Sequence, residues 1–351
     1  MPKALRAVLR VAVAIGLLAV AIALVGPDRL RQQWQHVDRA WLGAAVIAAA
    51  LAQWVSVLRW ETIARIFGLK VRTAALALAY AQGMTLNVLL PGATLGGDAL
   101  RSIRLQRLGN PLAVSALTVL LDRLSGLWVL CVLSLATGAI LAISLLMHVA
   151  PAAIPLTAGA LDASPDAPLG SQAMLPWLGL YLLGLALACA APWIPVGVGL
   201  GRGADPARRG ASDNALLAFG LRVWRRVCEL HDLALAQRRA LGRSLWSSVL
   251  VQVLCALTLW LCVLAAGGGA GYWQVQAVAA PVFVAGALPI SYGGFGAREI
   301  TALVAFPLVG LPADMGLSAS ALYGIVAIIL GLLAAPSFAL AGSTVSGKAG
   351  S

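Results

Sequence analysis

Between residues 86 and 101 an apolar run is broken by Pro91, Gly92, Gly96 and Gly97 and then charged by Asp98 and Arg101. Hydrocarbon offers no partner for free N–H and C=O groups, so a broken backbone at membrane depth must be buried in protein or line a wet cavity. An Asp and an Arg beside the break are costly there unless they are paired or functional. Few architectures meet both demands. One that does is a bundle of spanning helices enclosing a segment that dips in and returns. The surroundings agree: 61% of the chain is hydrophobic and only 11% charged, against about a quarter charged in a soluble domain. Several apolar runs match or exceed the ~20 residues a spanning helix needs. The fold class is therefore an all-α polytopic membrane protein. The net charge of +12 does not mark a nucleic-acid binder. The basic residues fall in short clusters between apolar runs, the pattern that sets topology and contacts anionic lipid.

Taken in order, residues 11–25 form a first span behind Lys3, Arg6 and Arg10, and residues 41–58 a second. Arg59, Arg65, Lys70 and Arg72 follow and read as cytoplasmic. Residues 73–110 then make a first re-entrant hairpin, because full crossing would place Arg101, Arg104 and Arg107 on the outer side against the charge rule. Residues 112–149 are too long for one upright span and predict a tilted helix or one with an interfacial first segment. Residues 174–196, 244–266 and 317–341 complete about six spans. Residues 197–243 form a cytoplasmic loop whose second part, 214–241, has the pattern of an amphipathic helix on the inner leaflet. Residues 272–306 make a second re-entrant hairpin, entering from the opposite face. The whole chain reads as one transmembrane domain with both termini in the cytoplasm of a bacterial inner membrane. The cysteines show no CxxC spacing and His36, His148 and His231 are scattered, so no metal or other cofactor is expected.

The two breaks match. Pro91 precedes Gly96, Gly97 and Arg101, and Pro289 precedes Gly293, Gly294 and Arg298, with spacings that agree to within one residue. Entry from opposite faces makes them inverted repeats, an organisation typical of secondary transporters. Helix N-termini at such breaks carry free N–H groups and a positive dipole end. Arg101 and Arg298 add guanidinium forks suited to phosphate oxygens. Asp98, Asp122 and Glu299 either cancel the charge of Arg101, Arg123 and Arg298 or take part in coupling and headgroup contact. Asn87, Ser291 and Tyr292 supply neutral hydrogen bonds. The predicted site is thus Asn87, Gly96, Gly97, Asp98, Arg101, Asp122, Arg123, Ser291, Tyr292, Gly293, Gly294, Arg298 and Glu299, placed between the hairpins around an anionic headgroup.

The ordered set of Asn87, Leu90-Pro91-Gly92, Gly96-Gly97-Asp98 and Arg101, then Leu121-Asp122-Arg123 and Gly126, then Leu288-Pro289-Ile290-Ser291, Gly293-Gly294-Phe295-Gly296 and Arg298-Glu299, resembles the flippase-like transmembrane family. That is the membrane domain of lysylphosphatidylglycerol synthases, and the resemblance runs from about the second span to the last. It implies a protein that handles a phospholipid or polyprenyl-linked lipid and moves it between leaflets. No stretch is long enough for the synthases' soluble aminoacyl transferase, so a stand-alone member without enzyme activity is expected. The partners expected are an anionic phospholipid or polyprenyl-linked lipid, a second copy of the chain or a lipid-synthesis enzyme. Two other functions fit less of the chain. One is a membrane enzyme on a lipid-linked phosphate using Asp98 and Glu299. The other is an accessory subunit of a synthesis complex, in which the hairpins are structural.

Overall fold

Asp38 stops the chain from entering its first described helix too early. It sits in extended backbone, and its carboxylate accepts from the N–H groups of Ala40 (2.7 Å) and Trp41 (3.4 Å), satisfying donors a helix start leaves free. Helix α1, Arg39–Ile66, then runs 28 residues and closes at Gly68, whose φ of +68° is the left-handed conformation glycine tolerates. The computed structural model describes residues 35, 37–89, 93–149, 170–190, 237–288 and 295–338. The remaining elements are α2 (Thr73–Leu89), α3 (Ala93–Arg107), α4 (Leu112–Val149), α5 (Gly170–Ala190), α6 (Arg238–Ala265), α7 (Tyr272–Ala287), α8 (Ala297–Ala305), a 3-10 turn (Phe306–Val309) and α9 (Ala313–Leu333). Every regular element among the described residues is helical, and α1, α4, α6 and α9 are each long and apolar enough to cross a membrane. The expected first span at 11–25 and most of the 197–243 loop lie outside the described residues.

Two expectations about boundaries change. Helix α1 does not end at Leu58; no glycine or proline interrupts it before Gly68, so it carries Arg59, Trp60 and Glu61 into the interior, all buried. Arg238, Arg239 and Arg243, expected in the loop or at its edge, belong to α6 itself. Helix α4 is one continuous element of 38 residues, about 57 Å at 1.5 Å per residue, so it must tilt or extend past a core ~30 Å thick. Helix α5, with 21 residues, overlaps the expected fourth span at 174–196, of which residues 191–196 lie outside the described residues.

Helices α1 and α6 form the central antiparallel pair. The Asp38 N–H donates to the Ala265 carbonyl at 2.9 Å at one end, and the Gln237 side chain donates to the Ile66 carbonyl at 3.2 Å at the other. Both helices have 28 residues. Ala45, Ala48 and Ala49 lie in the same buried cluster as Leu259, Cys262 and Val263, and such small side chains let backbones approach closely.

The segment 73–107 is a helical hairpin. Helix α2 ends at Leu89 and α3 opens at Ala93, so the break falls where Pro91 and Gly92 stand, just outside the described residues. The arms are antiparallel, since the Lys70 N–H donates to Asn110 Oδ1 (2.8 Å) and Asn110 Nδ2 donates back to the Lys70 carbonyl (2.9 Å). Helices α7 and α8 pack together in the second half in the same way. Their break at 289–294 also lies outside the described residues, and α8 starts from Gly296 at φ +85°. Each incoming arm packs on the long helix of the other half, α2 on α9 and α7 on α4. Gln82 and Thr85 of α2 donate to the Ser337 and Gly331 carbonyls, while Ser134 of α4 donates to the Gln276 carbonyl of α7.

Pro281 inside α7 shows how an apolar bundle tolerates a helix breaker. Proline has no N–H to give the carbonyl four residues back. The Tyr181 hydroxyl fills that place, donating to the Ala277 carbonyl at 2.6 Å, and Ser134 Oγ accepts from the Ala280 N–H at 3.1 Å. Tyr181→Phe leaves the carbonyl without a partner, so its expected cost is about 1–3 kcal/mol. Equilibrium unfolding of the detergent-solubilised variant measures it, and wild-type stability would show the bond to be irrelevant.

Candidate functional site

Asp122 of α4 is the hub of a buried charge cluster, with 2% of its side chain exposed. One carboxylate oxygen accepts from Arg59 Nε of α1 at 2.8 Å, and the other from Arg101 Nη2 of α3 at 2.9 Å. The Arg101 guanidinium lies against the rings of Trp60 (4.2 Å) and Tyr80 (4.4 Å), which are tilted to one another with centroids 6.5 Å apart. Two such ring contacts stabilise a cation removed from water. Trp60 is held in turn by its indole N–H on Thr118 of α4, at 3.3 Å. Asp98 also approaches Arg101, at 3.5 Å, but its stronger partner is Arg123, at 2.9 and 3.1 Å.

The expected pairing is therefore corrected for Asp122 and Arg123. They do not bond one another: Asp122 turns to Arg59 and Arg101, and Arg123 turns to Asp98. Each crosses to another helix instead. Arg298 and Glu299 do meet, at 2.9 Å, and both are tied to Ser320 of α9: Arg298 Nε donates to its hydroxyl at 3.0 Å, and that hydroxyl donates to Glu299 at 3.2 Å. Glu299 also accepts from the Gly296 N–H at 2.6 Å, reaching back over the start of its own helix. Arg298 lies against the rings of Phe295 (5.3 Å) and Tyr323 (5.2 Å).

The predicted residues thus divide into two groups. Asn87, Gly96, Gly97, Asp98 and Arg101 lie on the first hairpin, and Asp122 and Arg123 on the helix packed against it. Asn87 faces Gly97 across the hairpin, which only a residue without Cβ permits: a Cβ there would overlap Asn87 Oδ1 and stand 2.6 Å from the Gly83 carbonyl oxygen. Arg298 and Glu299 form the second group. Ser291, Tyr292, Gly293 and Gly294 lie outside the described residues. Arg101 and Arg298 belong to separate clusters.

Arg59, Trp60, Tyr80, Ser320 and Tyr323 escaped the sequence reading. Arg59 had a signal. It continues the pattern of α1 with Trp60 and Glu61 and no helix breaker before Gly68. Counting it with the cytoplasmic arginines ignored that Asp122 needed a partner on another helix.

In the first cluster Arg59, Arg101 and Arg123 face Asp98 and Asp122, an excess of one positive charge. Arg59 Nη1 and Arg101 Nε are buried and make no hydrogen bond. Arg59 Nη1 points past Gly126, where an added Cβ would lie 2.8 Å from it and 3.0 Å from Gln252 Nε2. Chemically, these two N–H groups are donors suited to an anionic oxygen acceptor. Among the described residues no group of His, Cys, Asp and Glu is placed to hold a metal ion.

A comparison with curated proteins returned no match. Residues 7–335 match the family described as Lysylphosphatidylglycerol synthase TM region. That match spans both hairpins, both charge clusters and the helices between them, and so the chain belongs to the lysylphosphatidylglycerol synthase TM region family.

Proposed function

We propose that the protein is a lipid transporter of the flippase type, taking an anionic phospholipid or polyprenyl-phosphate-linked headgroup at the Arg59–Asp122–Arg101 cluster without chemical change. The observation that carries this is the buried surplus of one positive charge with unpaired guanidinium N–H groups. Uncompensated charge in a low-dielectric interior is costly, and a phosphate oxygen supplies both the missing charge and the missing acceptor. Membership of a lipid-related family supports the same substrate class. Transport rather than retention rests on the inverted repeat. The central helices are equal in length and antiparallel, and each hairpin leans on the other half's long helix. Those are the relations a pseudo-two-fold axis in the membrane plane imposes. In this reading the hairpins re-enter from opposite faces of a bacterial inner membrane and both termini are cytoplasmic.

Proteoliposomes test the proposal. Headgroup-labelled phosphatidylglycerol should cross at least about tenfold more slowly with Arg59→Gln, the scale of one charge-assisted contact. The slow background of phosphatidylcholine should be unaffected. Equal phosphatidylglycerol rates in folded wild-type and Arg59→Gln protein would sink the assignment.

A further inference from the structure

We infer that the protein carries a second lipid site, for an anionic phospholipid of the cytoplasmic leaflet, where the end of α1 meets the start of α6. A cavity of about 270 Å³ lies there, lined by Glu61, Thr62 and Arg65 of α1 and by Gln237 and Arg243 at the α6 end. Arg243 also borders, with Arg239, Gly242 and Trp246, an open groove along one face of α6. The cavity is walled largely by polar groups, the groove largely by apolar ones. Arg239, Arg243 and Trp246 recur at four- and three-residue intervals and so share one face of α6.

The charges at this place are not already neutralised. Glu61 is engaged by Arg65 at 2.5 Å and by the Thr73 hydroxyl at 2.8 Å. Arg239 and Arg243 are exposed and have no acidic partner among the described residues. Trp246 has 72% of its surface exposed just beyond them, and Leu58 is exposed across the cavity. Free arginines, then a tryptophan, then apolar surface is the sequence of environments an interfacial lipid meets from phosphate to acyl chain. A soluble phosphate would use the arginines and leave the apolar groove and Trp246 without a role. The leaflet follows from the same end of the molecule, which carries Lys70, Arg72, Arg104 and Arg107 at the open ends of α2 and α3.

The site is separate from the Asp122 cluster, since none of its arginines belongs to that cluster. The test is native mass spectrometry of the full chain in detergent, titrated with phosphatidylglycerol, phosphatidylcholine or glycerol 3-phosphate. It is run on the wild type and in the Arg59→Gln background, so that loss of the buried site is read apart from loss of this one. Arg239→Gln with Arg243→Gln should weaken phosphatidylglycerol binding about tenfold in the Arg59→Gln background, and should remove one of the two bound lipids in the wild-type background. Trp246→Ala should weaken it by a smaller factor, and phosphatidylcholine should not respond to the arginine changes. Both arginines are exposed, and an unchanged melting temperature confirms that the double variant is folded. Phosphatidylglycerol affinity that the two substitutions leave unchanged in the Arg59→Gln background overturns the proposal. So does displacement of the lipid by equimolar glycerol 3-phosphate, which would mark a site for a soluble anion.

Discussion

Asp122→Ala is expected to cost about 3–5 kcal/mol of stability, the range for removing one partner of a buried ion pair. Two guanidinium groups depend on this one carboxylate, at 2.8 and 2.9 Å, and its side chain is 2% exposed. Without it the buried Arg59 and Arg101 lose their shared counter-charge, and Arg101 keeps only Asp98 at 3.5 Å and the Trp60 and Tyr80 rings. Asp122→Asn should be milder, since the amide oxygen keeps one acceptor in place. Unfolding in mixed detergent micelles measures both. A cycle pairing Asp122→Ala with Arg59→Gln should show coupling above about 1 kcal/mol, because residues in one ion network are not additive. Additive losses would mean that the cluster is not the unit described above.

Gly97→Ala is the second large effect, with an expected cost of about 1–3 kcal/mol from overpacking. The new Cβ would overlap Asn87 Oδ1 and press against the Gly83 backbone oxygen at 2.6 Å. A side chain can rotate away from such contact, but the backbone of α2 can move only by opening the hairpin. Opening it would shift Arg101, whose methylenes already lie against Gly83, at 3.4 and 3.5 Å from the Cβ position of that glycine. The variant should therefore lose lipid transport as well as stability. Gly179→Ala is the internal control, because its Cβ would meet nothing within 4 Å on α5. It should be neutral, or stabilising by up to about 1 kcal/mol through the lower entropy of the unfolded chain. Equal melting temperatures for the two alanine variants would show that the Gly83–Gly97 approach does not hold the hairpin closed.

Much of the bundle is legible in the sequence because the bilayer makes strong local demands. An apolar run of the right length has few alternatives to a helix, and a Pro-Gly pair inside one must end it. For that reason α2 stops at Leu89 and α3 opens at Ala93, on either side of Pro91 and Gly92. That Arg101, Asp122, Arg298 and Glu299 call for partners was legible on the same ground, since ions in apolar surroundings need a reason, and all four are buried and paired. Their partners were not. Arg59 bonds Asp122 across 63 positions and Arg298 bonds Ser320 across 22. Nothing in either local pattern names the other residue. The position of Tyr181 under the Ala277 carbonyl, 96 positions away, is equally silent until the helices are packed.

The sequence alone determined that this chain is a helical membrane bundle, where two of its helices break and which charges lie beside the breaks. Hydropathy, proline and glycine act within a turn or two of where they stand, so these features follow from local chemistry. The tertiary structure decided how the charges pair. It sent Asp122 to Arg59 and Arg101 and gave Arg123 to Asp98, while Arg298 and Glu299 closed on Ser320. A buried charge takes the partner that packing brings within about 3 Å, and that distance is set by helices far apart in the chain.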